Sequence, residues 1–175
     1  MKYIVLLRGI NVGGNHKVEM KRLKALFESL GYTNVSTYIN SGNVLFESDK
    51  KQAAVHKEIE ISLRDTFGFN IQALIKTELE IQKITEAIPK DWKNDSGHKT
   101  DVAFLFDEID TKNVLNDLPV KKEYLDLRYT KGAIFWHVER INYNKSHLNK
   151  LISHKSYQIM TVRNVNTARF LANSK

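Results

Sequence analysis

Three polar segments of the chain carry side chains that could bind a negatively charged ligand. They are residues 7–14 (Leu-Arg-Gly-Ile-Asn-Val-Gly-Gly), 37–44 (Thr-Tyr-Ile-Asn-Ser-Gly-Asn-Val) and 161–167 (Thr-Val-Arg-Asn-Val-Asn-Thr). Guanidinium and amide groups donate hydrogen bonds to phosphate or carboxylate oxygens, and glycine lets the backbone approach a ligand closely. The candidate ligand-binding residues are Arg8, Asn11, Gly13, Gly14, Lys17, Asn40, Ser41, Asn43, Arg163, Asn164 and Asn166.

The first segment begins within an apolar run, Tyr3 to Ile10, that predicts a strand buried on both faces. Within such a strand Arg8 must pair with an acid, reach water or face a ligand, because an unpaired buried charge is costly. The loop Asn11 to Lys17 leads to a predicted helix, whose N-terminus favours an anion. The alternative is a plain strand-to-helix turn, since Gly13-Gly14 matches neither the phosphate-loop nor the dinucleotide pattern.

The other two segments also have a purely structural alternative. Residues 40–43 are typical of a tight hairpin turn. Residues 163–167, at a predicted helix start, could either cap that helix or place Arg163 on a phosphate or carboxylate.

The residues that acid–base catalysis usually needs are missing from all three segments, because none contains Asp, Glu or His. His147 and His154 lie seven residues apart, but no carboxylate stands near them in the sequence to complete a metal site. Cysteine is absent from the chain. The segments are therefore typical of binding groups rather than of a catalytic set, and we expect neither a metal nor a cofactor.

The positive charge of the chain is concentrated near its C-terminus. The formal net charge is +7, and residues 140–175 contain seven Lys and Arg residues but no Asp or Glu. Such a segment attracts phosphates, nucleic acid or an acidic protein, although it could equally be a solvated surface. Phe135, Trp136 and Tyr143 could stack on bases beside it. The aromatic pattern of the RNA-recognition module is absent from the third predicted strand.

Composition and hydropathy favour a cytoplasmic location. A chain without cysteine must be held by its core, which suits a reducing compartment. The apolar run at the N-terminus is interrupted by Arg8, and no stretch approaches the roughly 18 apolar residues of a membrane span. We therefore expect no membrane association.

Periodicity in the first half of the chain predicts the order β-α-β-β-α-β, which is the ferredoxin-like pattern with the first and third strands central. The predicted strands cover 3–10, 35–39, 44–47 and 69–76, and the predicted helices cover 20–30 and 55–68. A further helix begins near Thr77 and ends before Pro89.

The second half repeats much of this order. Strands are predicted at 101–107, 125–127 and 133–138, and helices at 145–152 and from Thr161 or Asn164. A further short helix is predicted after Asp110, which we expect to cap it. The polar segment 90–100 is the best candidate for a linker. The predicted domains are 1–88, with the connecting helix, and 89–175, with a basic helical tail.

The three polar segments together resemble those of the bacterial family called domain of unknown function 1697. Lys145-Ser146 is similar to a basic residue followed by serine in that family, whereas Val165 stands where the family often has an aromatic residue. The resemblance implies an α+β fold of two ferredoxin-like (α/β plait) subdomains, with antiparallel sheets and helices packed on one face. It implies no activity, and the fold alone cannot supply one.

These observations favour a binding protein for an anionic ligand, either a nucleotide-like small molecule or a nucleic-acid backbone. We expect the three segments to line a cleft between the two halves. One alternative is an enzyme acting on a phosphorylated small molecule, with Arg8 and Arg163 holding the charge. The other is a protein-interaction module that uses the basic C-terminal segment.

Overall fold

The strands form two separate four-stranded antiparallel sheets, one in each half of the chain. The computed structural model describes residues 1–174. The chain divides into two units, Met1–Glu78 and Leu79–Lys175. None of the helices in the described part is long and apolar enough to cross a lipid bilayer.

The first unit follows the predicted order of elements. Its elements are β1 (Lys2–Leu7), α1 (Met20–Ser29), β2 (Thr33–Tyr38), β3 (Asn43–Glu47), α2 (Gln52–Phe67) and β4 (Ala73–Thr77). The strand order is β2-β3-β1-β4, so the first and third strands are central, as predicted.

The core of the first unit lies between this sheet and its two helices. Tyr3 and Phe46 from the sheet pack with Phe27 from α1, and Ile59 and Leu63 from α2 complete the cluster. Residues 3–7 are all buried, which confirms that β1 has no solvent-exposed face. Helix α1 ends where predicted, because Gly31 has the left-handed backbone (φ 81°) that commonly stops a helix.

The first strand is shorter than predicted. It ends at Leu7, so Arg8 lies outside the strand and is partly exposed. Arg8 donates a hydrogen bond from Nη1 to Gln72 Oε1 at 3.3 Å. The charge therefore reaches the surface, and the expectation that Arg8 sits within an apolar strand is wrong.

The second unit contains four strands rather than the three that were predicted. Its elements are α3 (Glu78–Glu86), β5 (His98–Leu105), α4 (Val114–Asp117), β6 (Asp126–Thr130), β7 (Ala133–Glu139), β8 (Met160–Asn164) and α5 (Val165–Asn173). The strand order is β6-β7-β5-β8. A 3₁₀ segment, Leu148–Ser153, covers most of the region predicted to be helical at 145–152, and a second one, Lys155–Ile159, follows it.

The unpredicted strand β8 changes the setting of the third polar segment. Arg163 is paired with Val102 of β5 and belongs to the strand rather than to a loop. Only Asn164, at the end of β8, is the helix cap that the sequence predicted, since its Oδ1 accepts a hydrogen bond from the Thr167 N–H at 2.9 Å.

Two further predictions about this unit are wrong. Residues 90–100 are not a linker, because Trp92 is buried against the ring of Phe135 and β5 already begins at His98. Asp110 does not cap α4. Its carboxylate instead accepts hydrogen bonds from the backbone N–H of Gly132 at 2.8 Å and from the Tyr129 hydroxyl at 3.1 Å.

Candidate functional site

Two of the three polar segments meet at one end of the first sheet. The antiparallel register pairs Leu6 with Asn43, which places the end of β1 beside the start of β3. The backbone N–H of Leu7 then donates to the carbonyl oxygen of Gly42 at 2.8 Å. The loop after β1 and the turn before β3 therefore leave the sheet side by side.

The side chain of Asn11 joins these two loops. Its Nδ2 donates to the carbonyl oxygens of Val18 and Asn40, each at 2.9 Å, and its Oδ1 accepts from the Val18 N–H at 2.8 Å. Asn11 has a left-handed backbone (φ 55°), a conformation that Asn adopts more readily than most residues. This amide holds the loop closed, so its role within the protein is structural.

Gly42 and Asn43 are also used in packing. A Cβ atom on Gly42 would lie 2.7 Å from Cβ of Leu7 and 2.7 Å from Cδ1 of Ile10. The fully buried Asn43 donates from Nδ2 to the Tyr38 carbonyl oxygen at 2.9 Å and to Ser41 Oγ at 3.0 Å. The polar residues of this turn thus fix its shape.

A concave surface of about 500 Å³ lies beside these loops, at the N-terminus of α1. We call it the α1 surface; it is lined by Asn11, Gly14, Lys17, Val18, Glu19, Met20 and Asn40. Four of these are predicted ligand-binding residues: Asn11, Gly14, Lys17 and Asn40. Gly13 is exposed next to Gly14.

The α1 surface has one cationic and one anionic side chain in its lining. Lys17 and Glu19 are both exposed. The first N–H groups of a helix lack intrahelical partners, and no side chain caps them at Glu19, the residue before α1. The first turn of α1 contains no acidic residue. Backbone N–H groups and Lys17 can therefore bind an anion here, while Glu19 opposes it.

Sequence reasoning missed Glu19, Val18 and Met20 as members of this surface. The position of Glu19 one residue before the apolar repeat of the helix was a usable signal, because that position is the N-cap.

The third polar segment lies in the other unit and is largely occupied by structural contacts. Arg163 is 93% buried and donates from Nη1 to Thr161 Oγ1 and to the Val162 carbonyl oxygen, both at 2.9 Å. Burial lowers the pKa of Arg163 to about 10. Asn166 donates to the carbonyl oxygen of Asn94 at 3.4 Å.

Part of the basic C-terminal segment is likewise used within the second unit. Arg140 donates from Nε to the Asp95 carbonyl oxygen at 2.7 Å. Arg169 donates from its two terminal nitrogens to the carbonyl oxygens of Trp92 and Pro89, each at 2.9 Å. Among the described residues, the exposed cations of the segment are Arg140 and the lysines at 145, 150 and 155. Lys175 lies outside the described residues.

Two histidines that the sequence did not single out face each other on the second sheet. The rings of His98 and His137 are stacked with centroids 5.0 Å apart, and both line a shallow surface that also carries Asp126 and Glu139. They come from different strands, so no spacing in the sequence brings them together. This cluster supplies acid–base groups that the three polar segments lack.

The hydrogen bonds around His137 settle its tautomer. The Thr100 hydroxyl donates its single proton to the Lys93 carbonyl oxygen at 2.6 Å. The same hydroxyl oxygen lies 2.6 Å from His137 Nδ1, so Nδ1 must carry the proton and donate it. The lone pair of neutral His137 is therefore on Nε2, which is the nitrogen able to act as a base.

We expect His137 to titrate below the ordinary histidine value of about 6.5. Burial lowers the pKa of His137, and the charge of His98 lowers it further. Because the folded-state pKa is depressed, the contribution of His137 to stability is complete above pH about 6.5 and is lost as pH falls through the folded pKa. The ring C–H signals in an NMR titration measure this directly. The pKa of His137 should rise in His98→Gln. A pKa that does not change in this variant would contradict the assignment, as would a pKa of about 6.5 in the unchanged protein.

Comparison with known proteins identifies relatives of the whole chain. A solved structure, that of conserved bacterial protein SP0830 from Streptococcus pneumoniae, is similar with a TM-score of 0.84 and 28% sequence identity. The similarity covers 98% of this chain and 96% of that one. No curated protein matches the chain. The sequence model described as "Protein of unknown function (DUF1697)" matches residues 1–136. The chain therefore belongs to the DUF1697 family.

Proposed function

We propose that this protein binds a phosphate-bearing small molecule at the α1 surface of its first unit. The observation that carries the proposal is the meeting of two segments about 30 residues apart in sequence, joined by the hydrogen bond from Asn11 to the Asn40 carbonyl oxygen at 2.9 Å. The proposal uses residues of the first unit alone. We also infer that each sheet belongs to a ferredoxin-like plait; the first unit has the β-α-β-β-α-β order of that fold.

The size of the α1 surface favours a small molecule. Ligand pockets typically have volumes of about 300–1,000 Å³, and the open concavity here has a volume of about 500 Å³. A phosphate would lie over the N–H groups of the first turn of α1, where the helix dipole favours negative charge. Lys17 would pair with it, and Gly14 leaves room for the backbone to approach.

The charge of the lining makes the proposal testable in both directions. Lys17→Gln should weaken binding of AMP about two- to fivefold, the size expected for one charged contact at an exposed site. Glu19→Gln should strengthen binding, because it removes the carboxylate at the N-cap. Lys57→Gln is the matched control, since Lys57 is an exposed lysine on α2 with the same charge change.

The experiment is a calorimetric titration with AMP, pyrophosphate and adenosine, repeated at low and high salt. We expect AMP and pyrophosphate to bind, and adenosine, which lacks the phosphate, to bind much more weakly. Equal binding of AMP and adenosine, or equal losses in Lys17→Gln and Lys57→Gln, would overturn the proposal. If only a single-stranded oligonucleotide binds, with affinity falling steeply with salt, the basic C-terminal segment is the binding surface instead.

A second candidate function is acid–base catalysis at His98 and His137. It is favoured by the basic Nε2 of His137, which the hydrogen bond to Thr100 leaves without a proton in the neutral ring. Asp95 Oδ1 lies 3.3 Å from His98 Nδ1 and accepts the backbone N–H of His98 at 2.8 Å, so it orients the second ring. A general base oriented in this way suits proton abstraction from a small substrate.

This second function predicts a specific pattern of loss. Hydrolysis of phosphomonoesters or phosphodiesters, if the protein catalyses it, should fall sharply in His137→Gln and should follow the titration of His137 with pH. Hydrolysis that is unaffected by His137→Gln would rule out this cluster as the catalytic site.

A further inference from the structure

The segment between β7 and β8 forms a layer over one face of the second sheet. It contains three 3₁₀ segments, Arg140–Asn142, Leu148–Ser153 and Lys155–Ile159. Leu148 and Leu151 are buried in the core cluster of this unit, and Tyr143 and Tyr157 pack against the same cluster. The exposed side chains of the layer therefore project away from the sheet.

Two of these exposed side chains are large and aliphatic. Ile141 is 81% exposed and Ile152 is 65% exposed. Ile152 lies near Tyr143, because both line one small concavity of the layer. Tyr143 follows Ile141 by two residues, so the two isoleucines belong to the same part of the layer.

Cations accompany the two isoleucines. The chain has no Asp or Glu after residue 139. The exposed basic residues of the layer are Arg140, Lys145, Lys150 and Lys155. The exposed Lys121 joins them, because its backbone N–H donates to the Ser146 carbonyl oxygen at 2.9 Å. Burial lowers the pKa of His147, and the charges of Lys150 and Lys121 lower it further, while Glu123 acts against them. We call the five cations and the two isoleucines the basic face.

The composition of the basic face favours a surface of anionic lipids. Its charge is complementary to anionic headgroups, and exposed aliphatic side chains can enter the boundary between headgroups and acyl chains. Single-stranded nucleic acids stack on aromatic rings, but Tyr143 and Tyr157 pack on the core instead. Protein interfaces are enriched in Arg and aromatic residues and depleted in Lys. A second copy of this chain, with its net charge of +7, would be repelled.

We propose that the basic face docks this protein peripherally on a membrane surface that is rich in anionic lipids. Ile141 and Ile152 enter the headgroup region, and the five cations lie against the lipid phosphates. Our expectation of no membrane association was drawn from the lack of a spanning segment, and peripheral docking needs no such segment. The proposal does not depend on the α1 surface, because no residue of the basic face lines it.

The experiment is co-sedimentation of the full chain with vesicles of phosphatidylglycerol and phosphatidylcholine, compared with vesicles of phosphatidylcholine alone. We expect binding to the anionic vesicles that weakens as salt is added, because salt screens the attraction between charges. We expect little binding to the neutral vesicles. Equal binding to both, or no binding to the anionic vesicles, would overturn the proposal.

A variant with unchanged charge separates docking from the electrostatic adsorption that any chain of net charge +7 would show. The double variant Ile141→Ser with Ile152→Ser should weaken vesicle binding about tenfold or more, because two apolar side chains no longer enter the lipid. Ile61→Ser with Leu79→Ser is the matched control, since both residues are exposed and lie outside the basic face. Equal losses in the two double variants would contradict the proposal.

Single charge changes locate the lipid phosphates. Lys150→Gln should weaken vesicle binding about fivefold, the effect of one cation near an anionic surface. An equal loss in Lys17→Gln would place the phosphates at the α1 surface and overturn the proposal. The proposal is also wrong if the isoleucine variant binds vesicles normally while Lys150→Gln weakens binding of vesicles and of a single-stranded oligonucleotide alike.

Lipids that carry a nitroxide in the headgroup region test the contact in the unchanged protein. In bicelles containing phosphatidylglycerol, they should broaden the methyl NMR signals of Ile141 and Ile152 and leave those of Ile61 sharp. If the Ile61 signals broaden and those of Ile141 and Ile152 do not, another surface faces the lipid and the proposal fails.

Discussion

Replacing Gly42 with alanine should destabilise the first unit strongly, by about 2–5 kcal/mol. Two costs add together. Gly42 has a left-handed backbone (φ 75°), which disfavours any residue with a Cβ. The new Cβ would also lie only 2.7 Å from Cβ of Leu7, which belongs to the central strand and cannot move without displacing the sheet. The measurement is the free energy of unfolding in denaturant, followed by circular dichroism.

Gly13→Ala is the matched control for this prediction. Gly13 also has a left-handed backbone (φ 59°), but a Cβ there would meet nothing within 4 Å. It should therefore cost only the backbone term, about 1–2 kcal/mol. If the two variants lose the same free energy, the close packing of Gly42 on Leu7 is not what holds the two loops together. Tryptophan fluorescence is unsuitable here, because both tryptophans lie in the second unit.

Asp110→Ala should destabilise the second unit by about 1–3 kcal/mol. The carboxylate is almost fully buried, and its loss leaves the buried Gly132 N–H without its acceptor, while the Tyr129 hydroxyl keeps only the Asp110 carbonyl oxygen at 3.3 Å. Tryptophan fluorescence during denaturant unfolding reports on this unit. Lys131→Met is the control. Lys131 pairs with Asp110 at 2.7 Å but is 81% exposed, and its removal leaves the bonds from Gly132 and Tyr129 in place, so we expect a smaller loss than in Asp110→Ala.

Stability at acid pH provides an independent check on Asp110. Burial by itself raises the pKa of Asp110, but hydrogen bonds from Lys131, Gly132 and Tyr129 outweigh it and hold the pKa below its usual range. The stabilisation is therefore present above the unfolded value of about 3.9 and is lost as pH falls through the lower folded value. Asp110→Asn should flatten this part of the stability profile. If the stability of both proteins depends on acid pH in the same way, the pKa of Asp110 is not lowered in the folded state.

Much of the first unit could be predicted because hydrophobic periodicity and turn residues agree there. The apolar run from Tyr3 predicted a central strand, and the Asn-Ser-Gly-Asn turn predicted a hairpin. The end of β1 was misplaced because Ile10 continues the apolar pattern after the strand has ended. Ile10 is buried, so the hydrophobic signal reported burial rather than strand hydrogen bonding.

The strand β8 was missed because a helix-capping signal lies at its end. Its five residues, Met160–Asn164, are followed immediately by α5, and Asn164 is an effective helix cap. The capping signal placed the whole segment at a helix start. Strand pairing with β5 is a long-range interaction that local propensity does not contain.

The α1 surface was predictable in part. The sequence indicated loops rich in Arg, Asn and Gly, and it placed Lys17 and Gly14 near a helix N-terminus. It could not show that Asn11 and Asn43 are occupied by backbone hydrogen bonds, because those contacts depend on how the loop from Asn11 to Val18 folds and on the turn between β2 and β3. The pairing of His98 with His137 depends in the same way on the register of β5 against β7.

The most direct test of the central claim is an NMR titration of the ¹⁵N-labelled protein with pyrophosphate. Binding at the α1 surface predicts saturable shifts of the backbone amide signals of Gly13, Gly14, Met20 and Lys21, and weaker binding in Lys17→Gln. Shifts confined to residues around Lys145, Lys150 and Lys155, or no saturable shift at the N-terminus of α1, would contradict the account.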